Sequence, residues 1–369
     1  MDYNNNYNQN NGQQGYPYYN NQPPINGGYY PYPPQQQYYA PVLSPEERDR
    51  KNIKAAGRAA GLCIIMYFAL QNLLTIPLLI PTLTKLYLNN LLFQNTIMIV
   101  LSICTVMLPF YLAGRRLERK INIPSIPFEK VENKALAISI IALGVFTCLA
   151  GNYLTDMWND LLKSIGLKLT YDSLETPTGA FDRFYYLIAV AIVPAMAEEL
   201  AMRGVVMQSL RKYGDTFAII TSAVVFGILH ANLVQAPFAI IAGIGLGYVV
   251  CVTNNIWISV IIHCINNAYS CVVSFMIKDI KDEALLNRVY LITLAVMFAI
   301  TILGSAYYVF IRKNENITLK KSETTLKTKL KIKAFFGNAS MIIAIIIILV
   351  NIIRYHSKDF AAFFSSLAK

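Results

Sequence analysis

A polytopic α-helical membrane protein is the fold class this sequence predicts, and three observations predict it. Of 369 residues, 55% are hydrophobic and only 14% charged, and mean hydropathy is +0.42 with a polar N-terminal stretch included. Soluble domains carry roughly a quarter charged residues. Several apolar runs reach the ~20 residues a helix needs to cross a bilayer, where helices satisfy their own backbone hydrogen bonds. The formal net charge of +11 sits in clusters beside those runs. Positive-inside orientation and attraction to anionic lipid account for it, and no aromatic-interleaved basic face is present, so no nucleic-acid partner is expected.

Taken in order, residues 1–44 are an Asn-, Gln-, Tyr- and Pro-rich tail with almost no aliphatic residues and Asp2 as the only charge. Such a segment buries too little apolar surface to offset its ordering entropy and reads as disordered. Its alternating polar and aromatic residues also suit a self-associating or partner-binding tail. A basic juxtamembrane segment follows at 45–58, with Ser44 placed to cap a helix and Pro45 at its first position. Arg48, Arg50, Lys51, Lys54 and Arg58 put this side in the cytoplasm.

The transmembrane core is read as 59–311, with spans at 60–84, 91–114, 134–155, 184–210, 216–232, 234–252, 256–277 and 289–311. Arg115, Arg116, Arg119 and Lys120 close the second span, and Arg211 and Lys212 the fourth. Residues 312–333 form a further basic cytoplasmic segment, and an extra, ninth span at 335–353 lies within 334–369. Every basic cluster then falls on one side. The expected location is integral in a membrane, the plasma membrane, with a cytoplasmic N-terminus. The N-terminus has no early apolar stretch and is not read as a signal peptide. All six cysteines lie in apolar runs without a CxxC pair, which suits packing and not a disulfide framework or a cysteine zinc site.

Chemistry concentrates in residues 184–275. Glu198, Glu199, Arg203, His230, His263 and Asn267 all lie within apolar spans there. A charge at bilayer depth costs at least about 2.5–3.5 kcal/mol, so such residues mark a functional site by default. Glu199 and Arg203, four apart with the acid first, suit a helical ion pair with an orienting role. Glu198 lies about 100° round the helix with no basic residue one turn away, so it should face something else. Pro194, one turn earlier, leaves the Val190 carbonyl unpaired and suits a bend.

Counted at about 1.5 Å per residue from the cytoplasmic ends, Glu198 lies about 20 Å deep, His230 about 21 Å and Asn267 about 17 Å. One cavity accommodates them all. A carboxylate and an imidazole sharing a water make it nucleophilic, while a second imidazole and an amide stabilise an oxyanion. On that reading Glu198 is the base, His230 its partner on the water, and His263 with Asn267 the oxyanion donors. Alternatively, Glu198, His230 and His263 ligate a divalent metal such as zinc, which activates the water. A purely structural role, tying helices together, is the plainer alternative. Ala239, Gly243 and Gly247 recur every four residues in the sixth span and read as close helix packing, not as a nucleotide loop. His356 sits beyond the last span and reads as interfacial.

At these residues the sequence resembles the CAAX-prenyl-endopeptidase and bacteriocin-processing (Abi-type) intramembrane proteases. That family carries EExxxR, FxxxH and HxxxN/D on three spans. Here the motifs run from Glu198 and Glu199 to Arg203, from Phe226 to His230, and from His263 to Asn267, intact and in order. The resemblance implies an eight-helix core, a catalytic first glutamate, and an endopeptidase acting on membrane-associated peptide or protein substrates. Both a metallo- and a metal-independent glutamate mechanism are associated with the family. Prenylated CAAX substrates and bacteriocin or peptide precursors are the two substrate classes it implies. No HExxH, intramembrane GxGD or GxSx serine site competes with this reading. A non-catalytic scaffold or bacteriocin self-immunity protein using the same pocket for partner binding is the second hypothesis. A proton-coupled transporter is the third, without an evident inverted repeat.

Overall fold

The computed structural model describes residues 43–169, 176–314 and 317–367, so the expected tail lies outside the described residues save its last two. Every named element among the described residues is helical. The architecture is α1 (Pro45–Leu79), α2 (Pro81–Asn89), α3 (Leu91–Ile121), α4 (Lys134–Ser164), α5 (Ala180–Val206) and α6 (Asp215–Leu229). Then come α7 (Gln235–Thr253), α8 (Ile256–Ile277), α9 (Glu283–Asn314), α10 (Thr328–Phe336), α11 (Ala339–Tyr355) and α12 (Ser357–Leu367). Seven of these helices are long and apolar enough to cross a membrane. α10 and α11, bent by 68°, make an eighth if counted as one span.

Several expected boundaries move, among them the ends of the second, third and fourth spans and the start of the eighth, and three changes have a clear local reason. The first helix starts at Pro45, not near residue 60, because Ser44 accepts from the Glu47 amide while Glu47 accepts from the Ser44 amide, a reciprocal cap at the helix start. It stops at Leu79, not 84, because Pro77 tightens the last turn and Pro81 starts a separate short helix. The fifth expected span is the third correction. α6 has 15 residues, and about 22 Å of helix falls short of a ~30 Å hydrocarbon core. It ends where Ala231 takes a left-handed φ of 48° and Asn232 Oδ1 accepts from the Val234 and Gln235 amides, turning the chain into α7. The indole of Trp158 on α4 donates to the Leu233 carbonyl at 3.0 Å and pins this turn.

Two buried apolar clusters hold the bundle. One joins α1, α3, α5, α6, α10 and α11 around Ile53, Phe110, Met202, Phe226 and Phe335. The other joins α4, α7, α8 and α9 around Ile140, Leu149, Leu246, Ile262 and Tyr308. α7 supplies residues to both. It packs closely on α6, where a Cβ on Gly243 would stand 3.0 Å from the Ala223 Cα, as the four-residue spacing predicts. The outer faces, such as Leu291, Ile292, Ile300 and Leu303 of α9, expose large apolar side chains suited to lipid.

The basic ends are stitched together. Arg211 Nε donates to Asp215 at 3.0 Å and its Nη1 to Asn254 Oδ1 at 2.8 Å. The other oxygen of Asp215 accepts from the Lys320 amide at 2.9 Å. Buried Lys331 donates to the Tyr213 carbonyl and to Ser322 Oγ, each at 2.8 Å. At the opposite end of α8, Lys278 donates to the Thr176 carbonyl.

Candidate active site

α5 departs from α-helical geometry twice around the two glutamates. A wide π turn occupies Ile188–Ile192, directly before Pro194, and the Val193 amide reaches back five residues to the Ile188 carbonyl. The missing proline N–H is thus absorbed by a local widening. A second π turn covers Leu200–Val206, with the Met207 amide on the Met202 carbonyl at 2.8 Å. Such turns recur at functional sites because they rotate side chains out of regular register. Gln208, fully buried, donates to the Arg203 carbonyl at 3.0 Å.

The ion pair read from the spacing is present. Arg203 Nη1 donates to Glu199 Oε1 at 2.7 Å, and both side chains are wholly buried. Arg203 Nη2 donates to the Gly243 carbonyl at 3.1 Å, and its guanidinium lies 4.9 Å from the Phe226 ring centre. Glu199 Oε1 also accepts from His263 Nδ1 at 2.9 Å. With a carboxylate as its partner, that nitrogen carries the hydrogen. The other ring nitrogen, Nε2, faces Glu198 Oε2 at 3.7 Å. Glu198 keeps 23% of its side-chain surface accessible, against none for Glu199, so the two adjacent glutamates have different environments.

The imidazole of His263 therefore spans the two glutamates, with Glu199 compensated by Arg203 and Glu198 turned to accessible space. His230 stands apart from this trio. It makes no ion pair with either glutamate among the described residues, and its Nδ1 lies 2.9 Å from its own Phe226 carbonyl. The Phe226 ring links the histidines, edge-on to His230 at 4.7 Å and to His263 at 5.9 Å. The phenylalanine one turn before His230 thus packs on both histidines and on Arg203. Asn267 is half-buried one turn beyond His263, and its Oδ1 accepts from Asn266 at 3.3 Å. Asn266 Oδ1 in turn accepts from Asn152 of α4 at 3.2 Å.

Whether Glu198, His230 and His263 suit a metal is decided by their placement. Among the described residues no three His, Cys, Asp or Glu side chains gather closely enough to hold a metal ion. The donor set as it stands does not fit a three-ligand centre.

Sequence reasoning passed over several groups. Gln208, Asn152 and Asn266 are polar residues within apolar runs, a signal it did not use. Tyr67 of α1 lies within electrostatic reach of Glu198, which only the packing of α1 reveals. His356, beyond the end of α11, is buried, with Nδ1 at 2.9 Å from Asp359. It lines, with Tyr355 and His230, a recess of about 450 Å³.

Residues 180–269, about a quarter of the chain, match the family model described as Type II CAAX prenyl endopeptidase Rce1-like. The matched stretch contains all six candidate residues. Neither a curated protein nor a solved structure matches the chain.

Proposed function

We propose that this chain, which belongs through residues 180–269 to the CAAX-prenyl-endopeptidase family, is an intramembrane endopeptidase in which Glu198 is the general base. The observation that carries the reading is the His263 ring suspended between a compensated carboxylate and an accessible one. Glu199 and Arg203 cancel each other and hold His263 by Nδ1. Glu198, without such a partner, accepts the proton of a water, and the oxygen of that water bonds to the scissile carbonyl carbon.

The oxyanion that forms accepts from the Asn267 amide nitrogen, which has no partner among the described residues, and from His263 Nε2 when that ring carries a hydrogen on both nitrogens. Collapse breaks the C–N bond, and protonated Glu198 returns its proton to the leaving nitrogen. His230, its Nδ1 occupied by Phe226, offers Nε2 as an acceptor that orients the water. That no three His, Cys, Asp or Glu side chains gather among the described residues supports the glutamate-type mechanism over the metallo-type.

The substrates proposed are membrane-associated, either prenylated CAAX chains or lipophilic peptide precursors, since Glu198 lies deep in a span. We further propose that the N-terminal basic end lies in the cytoplasm. Reporter peptides of both kinds, presented to the purified protein in liposomes, test this. Cleavage of either by wild type but not by Glu198→Gln supports the enzyme, whereas binding of a reporter without cleavage by either protein favours a scaffold.

A further inference from the structure

A groove of about 740 Å³ opens between α1 and α3, away from the glutamates. Its rim carries Lys51, Lys54 and Arg58 of α1 with Arg116 and Lys120 of α3, and no acidic residue lines it. All five are exposed, and among the described residues none is held in an ion pair. Below the rim the walls turn apolar, with Leu62 and Met66 on α1 facing Pro109 and Leu112 on α3. The helices meet at the floor, where Cys63 Sγ donates to the Pro109 carbonyl at 3.5 Å.

Five exposed cations, none in a close ion pair among the described residues, over an apolar cleft match a molecule with an anionic head and a hydrocarbon tail. The positions along the helices agree with that order, since Lys54 and Met66 are twelve residues apart, about 18 Å along α1. The rim then stands at the interface when the floor lies in hydrocarbon. Positive charge serving orientation alone would not require a cavity, and an acidic peptide would not need apolar walls. We propose that this groove is a binding site for an anionic glycerophospholipid, its phosphate held by Arg58 and Arg116 and an acyl chain lying along Leu62 and Met66.

Full-length protein in phosphatidylcholine nanodiscs or neutral detergent is titrated with phosphatidylglycerol, with bound lipid read by native mass spectrometry and thermal shift read in parallel. Arg58→Gln/Arg116→Gln removes two rim charges, while Lys329→Gln/Lys333→Gln removes two exposed charges from α10 on the same basic side. The proposal expects one retained phosphatidylglycerol in wild type and in the α10 variant, and apparent affinity about tenfold or more weaker in the rim variant. Equal retention in all three proteins, or equal loss in both variants, overturns it, because the attraction would then be diffuse. Phosphatidylcholine retained as strongly as phosphatidylglycerol would overturn it as well.

Discussion

At the scale of the residue, two adjacent glutamates have different tasks, and substitution separates them. Glu198 is partly accessible and paired with no basic side chain save the His263 ring 3.7 Å away. Glu198→Gln keeps the shape and removes the base, so activity should fall by about 10²–10⁴-fold, with thermal stability changed by less than about 1 kcal/mol. Glu199→Gln leaves Arg203 buried without its counter-charge and releases His263. That variant should lose about 3–5 kcal/mol of stability, measured by thermal or denaturant unfolding in detergent. Similar stability losses in both variants would contradict the division of roles. Asn267→Ala, if its amide donates to the oxyanion, should lower kcat by about 10²–10³-fold with KM little changed. Because no side chains among the described residues form a metal cluster, exhaustive dialysis against a chelator should leave the rate of the purified protein unchanged.

The element that depends most on close approach is α1. Its Gly57 and Gly61 face the bend between α10 and α11, where a Cβ on Gly57 would run into the Phe335 carbonyl and one on Gly61 would stand 2.5 Å from the Met341 amide nitrogen. Backbone atoms on both sides leave no side chain to give way, so Gly61→Val should cost about 1–3 kcal/mol or displace α11. Protease accessibility of the segment after residue 317 reads the displacement, and unchanged protection would contradict the packing. Helix identity was legible from apolar run length, and the ion pair from the spacing of Glu199 and Arg203. Legibility failed where one element needs another to define it. The two π turns of α5 leave no periodic trace, the shortness of α6 depends on the turn at Ala231, and α1 approaches Glu198 through tertiary packing. The division of labour between His230 and His263 was likewise unreadable, because spacing gives depth and face but not which ring nitrogen meets which carboxylate.

For the whole molecule, the basic clusters recognised in sequence converge in space, through Arg211, Asp215, Asn254, Lys320 and Lys331. We place this end in the cytoplasm and the 278–282 turn on the opposite side. Ser322→Cys and Asp282→Cys should then react oppositely with a membrane-impermeant thiol reagent applied to intact cells: labelling at 282 and protection at 322. The reverse pattern would invert the topology while leaving the chemistry intact.

Peptide-bond hydrolysis dependent on Glu198 is the central claim, and its most direct test does not require the substrate to be identified in advance. Terminal fragments of membrane proteins are compared by mass spectrometry between cells expressing wild type and cells expressing Glu198→Gln at equal levels. Fragments present only with wild type are predicted, and their new termini would define the substrates. Identical fragment sets in the two cell populations would contradict the account and leave a binding protein in its place.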